Sequence, residues 1–192
     1  MGAIAGVMAG LLGIGGGALI VPVLVIVFES QKMDADIIMQ AALGTSLATI
    51  VFTALSSVLA HHRRSAVKWT IVRRITPGIA VGGLLGAAIA DVLPSRTLQI
   101  MFVIFMFAIA VQFGFGILAA TASRPLPGPV GMSLVGTVIG AASSLFGVGG
   151  GSMSVPFMTW CSVAVRQAIA TSAAIGLPIA VSASVGYIVA GW

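Results

Sequence analysis

The chain has 192 residues, nine of them Lys or Arg and four Asp or Glu, with 59% apolar side chains and a net charge of +5. A soluble domain carries ~25% charged residues to wet its surface; at 7%, a soluble enzyme, a nucleic-acid-binding domain and a disordered chain are excluded. One cysteine leaves no disulfide framework and no Cys-rich metal site, and nothing in the sequence calls for a cofactor.

A membrane-crossing helix needs ~20 apolar residues. The charges divide the chain into six such spans, roughly 2–28, 37–60, 75–93, 97–120, 131–160 and 168–190. Long apolar blocks, rather than short alternating segments, predict helices and not a membrane barrel. The fold class read here is an all-α, multi-pass protein of the cell (inner or plasma) membrane.

The first span is not a signal peptide, because no basic residue precedes it and glycines interrupt it. Gly13-Ile-Gly-Gly-Gly17 lies mid-span, with Pro22 about one turn later. Glycines there cost ~1 kcal/mol each relative to Ala, and freed backbone groups in lipid must be satisfied inside the protein. This predicts a helix broken at Gly13, Gly15, Gly16 and Gly17. The acidic loop 29–36 follows. The second span carries Thr45-Ser46 and ends in His61-His62-Arg63-Arg64. Adjacent side chains point ~100° apart on a helix, so the two His make a poor metal pair, and the run reads as a topology signal. In the third span, Gly82, Gly83 and Gly86 have helix-packing spacing. Prolines 125, 127 and 129 open the fifth span, which contains Gly147-Val-Gly-Gly-Gly151 and Pro156. The sixth carries Thr171-Ser172.

Two segments recur. Residues 10–22 match 144–156 at seven of thirteen positions, at an offset of 134, and Ala42–Ala48 aligns with Ala168–Ala174 at an offset of 126. Such duplication is a common transporter build. It predicts two homologous repeats, 1–124 with four spans and 130–192 with two. Four spans separate the copies, so they are expected to be parallel unless the Gly-rich element is a re-entrant hairpin. The six Lys and Arg after spans two and four outnumber the three after spans one, three and five. Residues 61–74 and 121–130 are therefore expected in the cytoplasm, with both termini inside.

A broken helix exposes N–H groups and a positive dipole end, a site for an anion. The expected substrate-binding residues are Gly13, Gly15, Gly16, Gly17, Thr45 and Ser46 of the first copy and Gly147, Gly149, Gly150, Gly151, Thr171 and Ser172 of the second. Pro22 and Pro156 are the helix-breaking residues. The bland alternatives are close helix packing for the glycines and back-bonding to a helix carbonyl for the hydroxyls. The two breaks are expected to meet near mid-membrane, with both Thr-Ser pairs lining one cavity.

These motifs resemble the TauE/SafE family of sulfite and organosulfur exporters. The resemblance lies in Gly13–Gly17 with Pro22, Gly44-Thr-Ser46, His61–Arg64 before Val67-Lys-Trp69, Leu93-Pro-Ser-Arg-Thr-Leu98, Gly147–Pro156 and Ala168–Ser172. It implies a permease for small anions such as sulfite or sulfonates, with lipid and a small anionic substrate as partners, no nucleic acid, and room for a homo-oligomer. The family has seven or eight spans, so a fragment, a shortened gene or a chain completed by a partner is expected here. A truncated non-transporting membrane subunit and an anion channel are the competing readings.

Overall fold

Without water, a backbone group in lipid must bond within its own segment, so uncharged runs become helices. The computed structural model describes residues 17–114 and 125–191. Among them are seven helices: α1 (Gly17–Ser30), α2 (Ile38–Arg63), α3 (Trp69–Val92), α4 (Ser95–Gly114), α5 (Pro129–Phe146), α6 (Gly151–Trp160) and α7 (Val165–Ala190). The described residues contain no strand. Five of these helices, α2, α3, α4, α5 and α7, are long and apolar enough to cross a membrane. Phe52, Val103, Phe107, Val130 and Leu134 lie exposed on the outside, the surface that hydrocarbon covers. The protein is an all-α membrane protein.

Among the described residues five helices, not six, are long enough to cross, and the second, third, fourth and sixth spans lie near their expected boundaries, with one informative difference. α3 begins at Trp69 rather than near residue 75. Arg73 and Arg74 lie on its exposed face, where long cationic side chains reach the interface while the backbone stays helical.

Glycines set the packing. A Cβ on Gly78, Gly82 or Gly86 would collide with the backbone of Ser133, Thr137 or Ala141, and one on Gly136 or Gly140 with the carbonyls of Ile75 or Ile79. The order of these contacts makes α3 and α5 parallel, with backbones too close for any side chain between them. Gly83 against Ser182 and Gly186 against Ala87 make α3 and α7 parallel as well. α2 opposes α7, since Gly44 faces Tyr187 while Ile50 and Ala54 cluster with Ala180.

The fifth span breaks at its glycines, as expected, and then reverses. α5 ends at Phe146, α6 starts at Gly151, and Cys161 and Val163 come back beside Leu126, Met132 and Lys68. α6 has 10 residues, about 15 Å of rise, so it returns to the end from which α5 set out. This re-entrant hairpin overturns two expectations. The repeats are inverted, not parallel: α2 and α7, which carry the matched Ala-Thr-Ser segments, run in opposite directions. The C-terminal end of α7 lies at the end of the bundle opposite residues 61–74, not on the same side. The physical reason is the pair of left-handed glycines, Gly147 at φ 60° and Gly150 at φ 74°, which fold the chain back within four residues.

The reversal moves Arg166 to the basic end. Arg63, Arg64, Lys68, Arg73, Arg74 and Arg166 now share one end, and Lys32 and Arg96 the other; Arg124 lies outside the described residues. All four acids, Glu29, Asp34, Asp36 and Asp91, lie at the end with Lys32. Lys and Arg in short loops are the charges by which the positive-inside rule orients a membrane protein.

Candidate functional site

The site is built around the α5–α6 turn. α5 closes with Gly147 N–H donating to Ser144 O at 3.4 Å and Val148 N–H to Ser143 O at 3.0 Å. Gly150 N–H donates to Val148 O at 2.8 Å, and Gly150 O accepts from Met153 and Ser154 at 3.2 and 2.8 Å. The N–H groups of Gly151 and Ser152 open the first turn of α6 and have no acceptor within the helix. Pro156 has no N–H, so it also frees the Ser152 carbonyl one turn earlier.

The turn is held by three other elements. Buried Ser46 on α2 donates from its Oγ to Gly147 O at 3.0 Å. Gly17, where the described part of α1 begins, abuts the Gly147 carbonyl and Val148 so closely that a Cβ there would overlap them. On α7, a Cβ at Gly176 would lie 2.9 Å from Gly149 O. Gly17 and Gly151 are the equivalent residues of the two copies. From this meeting point α1 runs to the acidic end and α6 to the basic end. Gly149 faces Ile50 and Gly176, near the middles of the two 26-residue helices α2 and α7.

The expected residues are distributed as follows. Gly17, Ser46, Gly147, Gly149, Gly150 and Gly151 come together at the turn. Gly13, Gly15 and Gly16 lie outside the described residues. Ser172 is buried one turn before Gly176, with its Oγ donating to Ile169 O at 2.8 Å. Thr171 Oγ1 accepts from Lys68 N–H at 3.0 Å, toward the basic end. Thr45 is exposed. The four hydroxyls therefore do not line one cavity: successive residues on a helix diverge, so each pair has one member turned away from the turn. Pro22 and Pro156 both lie inside helices, α1 and α6.

Sequence reading missed the serines beside the turn. Ser143 and Ser144 on α5, and Ser152 and Ser154 on α6, are at most 2% exposed, and their Oγ atoms have no hydrogen-bond partner among the described residues. A Cβ on Gly150 would lie 3.4 Å from Ser143 Oγ. A serine in a membrane helix ordinarily bonds a carbonyl one turn back, as Ser172 and Ser182 do. These four do not: Ser143 lies beside Gly150 and Ser152 in the first turn of α6, whereas the Ser144 side chain lies against Gly86 of α3. The signal was legible as Ser143-Ser144 and Ser152-Met-Ser154 flanking the second glycine motif, without counterparts flanking the first. Among the described residues no cluster of His, Cys, Asp or Glu is placed to hold a metal ion. Among the described residues the turn also has no charged side chain, so its polar groups are N–H dipoles and hydroxyls.

A family model described as sulfite exporter TauE/SafE matches residues 1–192. A Haemophilus influenzae protein named "probable membrane transporter protein" is 34% identical over 192 residues, spanning 100% of this chain and 73% of that protein. A Bacillus subtilis protein of similar name is 30% identical over 211 residues, spanning 100% of this chain and 77% of its own length. A Methanocaldococcus jannaschii relative, also named as a transporter, is 28% identical over 175 residues, spanning 90% of this chain and 64% of that protein. No solved structure matches the chain.

Proposed function

We propose, for a chain that belongs to the sulfite exporter TauE/SafE family of membrane transporters, that the α5–α6 turn is the substrate centre of an alternating-access carrier for small sulfur oxyanions and organosulfonates in the cell membrane. The observation that carries this reading is the meeting of Gly17 with Gly147, which brings the two copies of the glycine motif together opposite the middles of α2 and α7. Inverted repeats with half-helices starting at the midplane are a transporter architecture, and their N-termini point at the anionic group of the substrate. Here the halves are 1–124 and 130–192, and Gly17, Ser46, Gly147, Gly149, Gly150 and Gly151 supply the site. Ser143 and Ser152 add hydroxyl donors to the N–H groups of Gly151 and Ser152. A site without Arg or Lys binds weakly enough to release its anion. Alternating access follows from rocking one half against the other across the turn, where Gly17 and Gly176 permit backbone-to-backbone contact.

Flux of radiolabelled sulfite and of ethanesulfonate into proteoliposomes tests this. The expected result is saturable flux that falls roughly tenfold or more in a Ser143→Ala/Ser152→Ala variant, since each hydrogen bond to a charged group contributes ~1.5–3 kcal/mol. Linear, non-saturating flux points to a channel, and undiminished flux in the variant removes the serines from the site.

A further inference from the structure

At the basic end, a cavity of about 390 Å³ opens between the starts of α3, α5 and α7 and the end of α6. Lys68, Arg74, Ser162 and Gln167 supply its polar wall, and Ile71 and Met132 its apolar one. The cavity has the size of a small-molecule site, which runs ~300–1,000 Å³. Its charge is uncompensated, because all four carboxylates of the chain lie at the opposite end. A concave, half-apolar wall focuses the field of its cations. In the sequence the 61–74 segment reads as a topology signal; the fold brings two of its cations, Lys68 and Arg74, into the wall of a pocket.

From this geometry we propose that the cavity is a cytoplasmic docking vestibule for a short organic anion, a sulfonate or carboxylate carrying a small alkyl group. Lys68 and Arg74 take the charged head, Gln167 and Ser162 its remaining oxygens, and Ile71 and Met132 the alkyl part. The apolar wall favours such an anion over a fully hydrated inorganic one. The vestibule lies one α6 length from the turn, and Thr171 ties its rim to α7 through the Lys68 N–H. As an entry to the carrier it rests on the transport reading above; as a binding site it is tested separately.

Cys161, the single cysteine, is half-buried in the vestibule wall and reports on it. The full chain is purified in neutral detergent, and its alkylation by N-ethylmaleimide is followed with ethanesulfonate, sulfate or chloride at equal ionic strength. Calorimetric titration with ethanesulfonate gives a second readout that does not depend on the thiol. The expected result is that ethanesulfonate slows labelling several-fold and more than sulfate does, and that Lys68→Gln/Arg74→Gln abolishes the protection and lowers the heat. Protection of Cys161 is read at the vestibule wall whatever the flux measurement gives, so a failed central site and a failed vestibule are distinguishable. Equal protection by sulfate, protection that survives Lys68→Gln/Arg74→Gln, or no protection and no heat would overturn the proposal. In nanodiscs, protection by phosphatidylglycerol with none by ethanesulfonate would overturn it too, and assign the cavity to a lipid headgroup.

Discussion

Gly150 shows how much a single residue decides. Its φ of 74° is one that L side chains rarely adopt, and the Ile179 side chain occupies the place of its Cβ. Left-handed strain costs about 1–2 kcal/mol and overpacking about 1–3 kcal/mol, so Gly150→Leu should destabilise the protein by roughly their sum. Gly149→Ala is the control: its Cβ would meet only Ile50, at 3.4 Å, and thermal unfolding in detergent should separate the two clearly. Equal melting temperatures would show that the turn relaxes around a side chain. Ser46 acts differently, by satisfying the carbonyl that ends α5. Ser46→Ala strands the Gly147 oxygen in a dry interior and should cost ~1 kcal/mol, read as a lowered unfolding midpoint; an unchanged midpoint would mean that another donor replaces it.

At the scale of elements, the α3–α5 seam and the α5–α6 hairpin carry the fold. In lipid, apolar contact gives no net advantage over the hydrocarbon, so helices associate through close packing of small residues. Gly82→Val places two methyl groups where the Thr137 carbonyl lies, and α3 and α5 must separate. Unfolding in denaturing detergent should shift by several kcal/mol, whereas Gly128→Ala, in open space before α5, should be silent. The hairpin makes a topological prediction. With Cys161 replaced by Ala, cysteines at Ser65 and Ala164 should react with an impermeant maleimide from the cytoplasmic side, and one at Gln31 from the other. Labelling of Ala164 together with Gln31 would mean that α5 and α6 form one continuous crossing. The α2–α4 corner explains a further sequence motif. Ser95 Oγ accepts from Met39 N–H at 3.1 Å, and Gln40 Nε2 donates to Leu93 O at 2.9 Å. Leu93–Leu98 thus clamps the start of α2.

The whole molecule is polarised along the membrane normal. Among the described residues six cations share one end, and two cations with all four acids share the other. Orientation follows Lys and Arg in short loops, with little weight on acids. Replacing Glu29, Gln31, Asp34 and Asp36 by Lys brings the acidic end from two cations to six, level with the described cations of the basic end. The expected outcome is a mixed population in which a cysteine at Ser65 labels from both sides. Uniform cytoplasmic labelling would mean that packing, not charge, fixes the orientation. The same polarity gives the vestibule its field, because no carboxylate lies near enough to neutralise Lys68 and Arg74.

Composition and charge spacing by themselves determined that this is a helical membrane protein, where most spans lie, and that residues 147–151 interrupt the fifth. These depend on local properties: lipid accepts only segments that satisfy their own backbone, and glycine triplets do not. The internal repeat was also legible, because similarity along a chain survives without knowledge of its path. Only the tertiary structure decided the direction of the chain after the break. A kinked crossing and a re-entrant hairpin share one hydropathy profile; they differ in the sign of φ at Gly147 and Gly150 and in what Ser46, Gly17 and Gly176 present to the turn. That one reversal turned parallel repeats into inverted ones and carried Arg166 to the basic end. It also left Ser143 and Ser152 unpartnered beside a helix N-terminus, which no periodicity could reveal, since a hydroxyl's partner depends on which helices surround it.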